Sequence, residues 1–309
     1  MSRLFGVLLM AYGSPNSLDE VEPYFTHIRG GRRPPPEAVE GLKARYRRIG
    51  GRSGLLEVTL AQAKGLEEAL NPLTIGERWR VWVGMKHWKP SIAEAADSMA
   101  KAGVGRVVGV ALAPHYSRMS VGSYIEAAKY SLECMGLSGV TTFVERWGNH
   151  PLFLRAVAWQ IRKAMEGWSA EGTLVLFTAH SLPERIRSWG DPYERELLRS
   201  AAGVAHLSGL EHWRFAFQSA SHTGEPWLGP DLHQVLEEAA REGRFSRVLV
   251  CPIGFVTDNL ETLYDLDIEA QEHAQRLGLA FRRVPCLNAS PLLVDTLVAL
   301  VIDALSAST

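Results

Sequence analysis

The amino-acid sequence predicts an α/β protein made of two similar halves, each built around a parallel sheet. Three observations lead there. Short apolar, β-rich runs alternate with longer segments of helical periodicity, the pattern of βαβ units. Each run ends in a cluster of Pro, Gly, Ser or His rather than in a hairpin dipeptide, so the strands need crossover connections. The clusters of the first half then return, in the same order, in the second.

The strand candidates of the first half are residues 5–10, 80–83 and 106–112; those of the second are residues 173–178, 213–217 and 247–251. After the first run stands Ala11-Tyr12-Gly13-Ser14-Pro15, and after the fourth Ala179-His180-Ser181-Leu182-Pro183. The segment 84–90, GMKHWKP, answers to Gln218-Ser219-Ala220-Ser221-His222, and Val110 to Pro114 answers to Val250 to Gly254. Two Rossmann-like domains follow, residues 1–150 and 151–309, with the last helix, residues 292–305, expected to fold back on the first. A cleft between them is expected to take the ligand, since open α/β sheets bind outside the carboxyl ends of their strands. Gly103, Gly105 and Gly109 have a G-x-G spacing but precede a strand, so a phosphate-cradling dinucleotide loop is not indicated, and there is no Walker A sequence.

Composition narrows the class. The chain has 309 residues, 46% hydrophobic and 22% charged, with a formal net charge of −1. Such a balance gives no global field for nucleic acid or anionic lipid, so electrostatic recognition must be local. No apolar stretch approaches the roughly 20 residues of a membrane span, and the run of residues 4–11 is too short for a signal peptide. Cys134, Cys251 and Cys286 are widely spaced and form no C-x-x-C pair, which suggests neither a disulfide framework nor an iron–sulfur or zinc site. The expected compartment is a reducing cytoplasm.

Three constellations carry chemistry. His180 stands at the end of an apolar run; there an imidazole can ligate a divalent metal or accept a proton near neutrality, or it can be a satisfied strand-end histidine. The stretch 258–269, DNLETLYDLDIE, reads as a helix capped by Asp258 with Glu261, Asp265 and Glu269 at i, i+4 steps. Like charges so spaced destabilise a helix by roughly 0.2–0.5 kcal/mol per pair, and residues 248–275 contain no Lys or Arg to offset them. A row of hard oxygen ligands suits Fe2+ in transit, or Mg2+; the alternative is an exposed acidic face. Residues 27–52 carry eight Lys or Arg, among them Arg29, Arg32, Arg33, Arg45, Arg47 and Arg48, against Glu37 and Glu40. Arginine forks suit a polyanionic ligand, although Arg47 and Arg48 also read as solvated helix residues. Tyr12, Tyr24, Tyr46 and Tyr124 could stack on a flat aromatic or sit at the core edge, and no nucleic-acid motif accompanies them.

Read together, the motifs LLMAYGSP, YFTHIRGGRRPPPE, RYRRIGGRSGL, GMKHWKP, LAPHYS, TAHSLPERI, GDPY, PWLGPD and PIGFVTDNLETLYDLD resemble bacterial ferrochelatases from end to end, specifically the coproporphyrin type of monoderm bacteria. The resemblance implies a type II chelatase-like pair of domains with four-stranded sheets around a porphyrin cleft. It implies that His180 and Glu261 face the macrocycle nitrogens and handle Fe2+, with Asp265 and Glu269 as a secondary metal site that can take Mg2+. Tyr12 matches the tyrosine on the other porphyrin face, and Arg29, Arg45, Tyr46, Ser53 and Tyr124 match positions that contact the substrate, mainly its propionates. Lys86 and His87 match a cleft-edge pair. Relatives acting on protoporphyrin typically have Met in place of Tyr12, whereas four propionates give the basic segment a reason.

The expected reaction is insertion of Fe2+ into coproporphyrin III, without an organic cofactor or iron–sulfur cluster. The expected partners are porphyrin and Fe2+, with transient contacts to a downstream coprohaem decarboxylase and an iron donor; nucleic acid is not one, and the chain is expected to be a monomer. The alternatives are a protoporphyrin IX ferrochelatase, a haem or porphyrin carrier using Tyr12 or His180 as axial ligand, and a hydrolase using Ser181 beside His180. The last lacks a G-x-S-x-G elbow.

Overall fold

A computed structural model describes residues 3–73, 76–221 and 224–307. His222, the last residue of the second-half segment compared with residues 84–90, lies outside them. The chain forms two compact units: Met1–Trp147 with Asn288–Thr309, and Gly148–Leu287.

In the first unit the order is β1 (Arg3–Ala11), α1 (Val21–Ile28), α2 (Pro36–Arg48), α3 (Leu55–Leu70), β2 (Glu77–Met85), α4 (Ile92–Lys101), β3 (Arg106–Ala111), α5 (Ser123–Cys134) and β4 (Thr141–Val144). The strands pair in parallel in the order β2-β1-β3-β4. β1 is buried along almost its whole length, as a parallel strand covered on both faces must be. One sheet face packs Leu8, Met10 and Trp82 against Ile92 and Met99 of α4 and Ile125 and Leu132 of α5. Gly109 belongs to this packing: a Cβ there would stand 2.5 Å from the Phe143 ring. That close approach accounts for the glycine without any phosphate loop.

The second unit repeats the plan with α6 (Pro151–Ala164), β5 (Thr173–His180), α7 (Tyr193–Ser208), β6 (Trp213–Gln218), α8 (Leu232–Glu242), β7 (Arg247–Cys251), α9 (Gln271–Arg276) and β8 (Ala280–Arg283). Its parallel order is β6-β5-β7-β8, the same topology position for position. Leu174, Leu176, Ala216, Val248 and Val250 pack one face against α8 and against Leu266, Ala270 and Ala274. The C-terminal α10 (Pro291–Ser306) belongs to the first unit, where Val294 lies 3.0 Å from the Cβ position of Gly65 on α3.

The repeat reaches into the connections. After β2, Ser91 caps α4 in a reciprocal capping box with Glu94, and Met85 bridges back to Ser91. After β6, Asp231 caps α8 in the same way with Gln234, and Phe217 bridges to Asp231. The third strand of each unit leads into a π-helical segment with i→i+5 bonding, Arg118–Gly122 after β3 and Glu261–Ala270 after β7. Among the described residues no helix is long and apolar enough to cross a membrane.

Candidate functional site: the strand ends of the two units

Tyr12 directly follows β1 and is 41% exposed. Two backbone bonds continue the β1–β2 ladder beyond its end, Lys86 N–H to the Ala11 carbonyl (2.9 Å) and His87 N–H to the Tyr12 carbonyl (2.8 Å). They hold Lys86 and His87 beside the tyrosine, with the His87 ring centroid 4.5 Å from that of Tyr12 and 5.5 Å from that of His27. The turn that follows needs Gly13, whose φ of +96° is left-handed and whose Cβ would meet the Trp88 backbone at 2.9 Å.

The electrostatics of this end follow from burial. Desolvation, helped by the Lys86 and His27 charges, pulls the His87 pKa down to about 4, so its imidazole is neutral at neutral pH. Desolvation also lowers the pKa of Lys86, partly opposed by Glu126. The Lys86 ammonium donates to the Ser123 hydroxyl (2.6 Å) and lies 5.2 Å from the centre of the Tyr124 ring.

Of the other expected substrate contacts, Tyr46, Ser53 and Tyr124 are buried, Arg45 is half-buried and Arg29 is exposed over the Phe25 ring. Ser14 joins two of them, its hydroxyl lying 3.1 Å from Tyr46 Oη and 2.8 Å from Ser53 Oγ. A serine in a turn carries no chemical signal of its own, and sequence reasoning did not single it out. Part of the basic segment is already matched: Arg33, Arg47 and Arg52 pair with Glu22, Glu40 and Glu57.

In the second unit His180 is the last residue of β5 and half-buried. Its Nδ1 lies 2.5 Å from the Ser181 carbonyl oxygen. A carbonyl only accepts, so Nδ1 carries the proton and Nε2 keeps its lone pair for a metal or a proton. The strand end is fixed from three sides. The Tyr193 hydroxyl donates to the His180 carbonyl (3.0 Å), Ser181 N–H donates to the Gln218 carbonyl (2.8 Å), and Gly254 N–H donates to the Thr178 carbonyl (3.2 Å). A Cβ on Gly254 would stand 2.7 Å from the Ala179 Cβ, so only glycine lets the loop after β7 lie on β5 here. The Ser181 hydroxyl is fully buried and donates to the Leu228 carbonyl (2.8 Å), which removes it as a hydrolytic nucleophile.

The acidic stretch departs from the expected helix in two ways. It is a π-helix over Glu261–Ala270, and the side-chain oxygen that accepts from Thr262 N–H (3.0 Å) belongs to Asn259, whereas Asp258 accepts from the Thr262 hydroxyl (3.4 Å) there. Asp258 also accepts from Arg283 (2.7 Å), which grips both oxygens of Asp267 at 2.6 and 2.7 Å. The neutralising cation that the local sequence lacks therefore comes from β8, 16 residues beyond Asp267. Asp265 is buried and accepts a hydrogen bond from the Ser219 hydroxyl, while Glu261 is half-buried and Glu269 exposed. His180 and this helix share one face of the sheet, because Leu174 and Leu176, which alternate with His180 on β5, pack with Leu266 and Ala270. Among the described residues no group of three or more His, Cys, Asp or Glu is close enough to hold a metal ion. Burial pushes the Cys251 and Cys286 thiols up, so neither is a ready thiolate ligand; Cys134 is exposed.

Two parallel α/β units of identical strand order, with a histidine and an acidic π-helix at one set of strand ends, define a protein of the chelatase class. SirB from Bacillus subtilis with Fe3+ shares the fold at a TM-score of 0.63 and 11% identity, covering 99% of this chain and 97% of that one. CbiX, described as the terminal enzyme for biosynthesis of sirohaem, does so at 0.54 and 15%, covering 98% and 99%. The ferrochelatase family model matches residues 5–305, and the chain belongs to that family. A ferrochelatase of Herpetosiphon aurantiacus is 44% identical over 300 residues, 96% of this chain and 98% of that protein. A coproporphyrin III ferrochelatase of Geobacillus kaustophilus is 41% identical over 305 residues, 98% and 96% respectively.

Proposed function

We propose that this chain inserts Fe2+ into coproporphyrin III, releasing two protons and giving Fe-coproporphyrin for haem synthesis. The observation that carries the reading is the His180 strand end, where a protonated Nδ1 leaves the Nε2 lone pair available beside a carboxylate-bearing π-helix. Relatives of closely similar length that are named coproporphyrin III ferrochelatases support the choice of substrate.

Metallation requires two pyrrole N–H bonds to break while four nitrogen lone pairs meet the metal. His180 Nε2 and the Glu261 carboxylate divide proton acceptance and iron delivery between them. Asp265 and Glu269 form the outer station, which takes Fe2+ in transit or Mg2+; incomplete ligation suits an ion that must leave again. In the first unit Tyr12 offers a phenol to the porphyrin, and Lys86 and His87 stand beside it. Arg29 and Arg45, with the Ser14, Tyr46 and Ser53 hydroxyls and Tyr124, bind propionates, and that remote binding energy offsets the bending of the macrocycle. The reaction so written needs no organic cofactor and no iron–sulfur cluster. The chain acts as a cytoplasmic monomer that hands coprohaem to a decarboxylase and receives iron from a donor.

The test is anaerobic turnover of coproporphyrin III and protoporphyrin IX with Fe2+, followed by absorbance, for the wild type and His180→Ala. Rapid metallation of coproporphyrin, lost in the variant with porphyrin binding kept, is the expected result. A preference for protoporphyrin overturns the substrate, and binding without turnover by the wild type makes the chain a carrier.

A further inference from the structure

Three buried polar atoms at the end of the second sheet have no hydrogen-bond partner among the described residues: Thr178 Oγ1 and both amide atoms of Gln218. Thr178 is fully buried and Gln218 is 3% exposed. Both belong to the His180 strand end, since Gln218 is the register partner of His180 across the β5–β6 ladder and Thr178 lies two residues before it on β5. Side chains alternate along a strand and paired residues of parallel strands share a face, so Thr178, Gln218 and His180 project on the same side of the sheet. That side carries the π-helix. The next residue, Ser219, leaves the strand with a left-handed φ of 61° and donates to Asp265.

The first unit makes the polarity of these positions conspicuous. The matching ladders put Met10 where Thr178 stands and Lys86 where Gln218 stands. Met10 is apolar and fully buried, and Lys86 is partnered by Ser123. A buried hydroxyl and amide without partners each carry an uncompensated desolvation penalty that Val and Leu at the same positions would avoid. Three polar atoms on one face of two paired strands also match the number of bonds, about three, that a buried water makes.

We infer that Thr178 and Gln218 are positioning residues that hold an ordered water beneath His180. The water ties the β5 and β6 ends to the Ser219–Asp265 contact and so sets the π-helix carboxylates relative to the imidazole. The inference rests on the proposed role of His180 and Asp265 in handling iron.

The test uses Thr178→Val, Thr178→Ser and Gln218→Leu in the full chain, with thermal midpoints and separate KM values for Fe2+ and porphyrin. For a held water, Thr178→Val and Gln218→Leu raise the KM for Fe2+ about tenfold and leave the porphyrin KM unchanged. Thr178→Ser, which keeps the hydroxyl, stays near the wild type. For a dry patch, the two apolar variants melt higher than the wild type and chelate iron with an unchanged Fe2+ KM, which overturns the inference. A high-resolution crystal structure of the wild type gives an answer independent of folding or turnover. Water bridging Thr178 Oγ1 and the Gln218 amide supports the inference, and density with no water there refutes it. Absence of wild-type turnover would count against the proposed function, whereas wild-type turnover with unaffected variants would count only against the water.

Discussion

The first and second sheets have the same strand order, the same capped helix after the second strand and a π-helical segment after the third. Their strand ends nevertheless differ in chemical character. After β1 come a phenol, a neutral histidine and a cation set among hydroxyls; at the end of β5 come an imidazole with a free lone pair and a helix bearing carboxylates. One scaffold, used twice, carries a phenol, hydroxyls and an ammonium at one set of strand ends and an imidazole with carboxylates at the other, because the residues at and just beyond the strand ends differ.

The handling of opposite charge differs as sharply, and it gives the largest expected effect. In the first unit the cation–carboxylate pairs of the basic segment are surface pairs, such as Arg47–Glu40 with side chains 49% and 63% exposed. In the second, Arg283 is only 10% exposed and serves Asp258 and Asp267 together. Arg283→Met leaves both carboxylates without their cation, and urea unfolding is expected to show a loss of about 3 kcal/mol, the lower end for a buried pair because the aspartates are partly solvated. Arg47→Ala is expected to change stability by less than about 1 kcal/mol. Equal losses would erase the contrast.

A smaller effect separates chemistry from binding. Glu261→Gln keeps size and hydrogen bonding but removes the carboxylate charge, and kcat for metallation is expected to fall about 100-fold, the scale of a lost proton-transfer group. Tyr12→Phe keeps the ring and removes only the hydroxyl, and is expected to leave kcat within about threefold under the proposed role of Tyr12 as a stacking group. If Tyr12→Phe is the more damaging change, the division of labour between the units is the reverse of that proposed.

The same contrast shows what the sequence could reveal. Six strands, the edge strands β2 and β6 among them, were legible because each is an apolar run closed by a turn cluster. β4 (TTFV) and β8 (AFRR) were not, since four residues without a buried one among them leave no apolar run. The AYGSP and AHSLP echo revealed the repeat, while His180 stood out as an imidazole closing an apolar run and Tyr12 through the family resemblance. The π-helix stayed hidden: Glu261, Asp265 and Glu269 fit helical spacing equally well, and a wider turn has no composition of its own. Arg283 was missed because its partners lie 16 and 25 residues away in sequence, which only the β7–β8 pairing brings together. Thr178 read as an ordinary strand residue and Gln218 as the start of a turn segment until burial exposed their missing partners.

The finest test concerns protons in the first unit. The His87 pKa is lowered to about 4, against 6.5 for an ordinary histidine. Between those values the unfolded chain binds the proton and the folded chain does not, so this group favours unfolding increasingly as pH falls from 6.5 toward 4. The shift would be worth about 3 kcal/mol if fully expressed. His87 is only part-buried, and solvent screening reduces the expected contribution to about 1 kcal/mol. His87→Phe keeps a ring against Tyr12 and His27 but cannot titrate. Its stability, from urea midpoints at pH 7 and pH 4.5, should therefore decline by about 1 kcal/mol less than that of the wild type over this interval. An identical decline in both proteins would mean that His87 takes up its proton in the folded state, and the strand end of the first unit would then carry a second cation beside Lys86 under acid conditions.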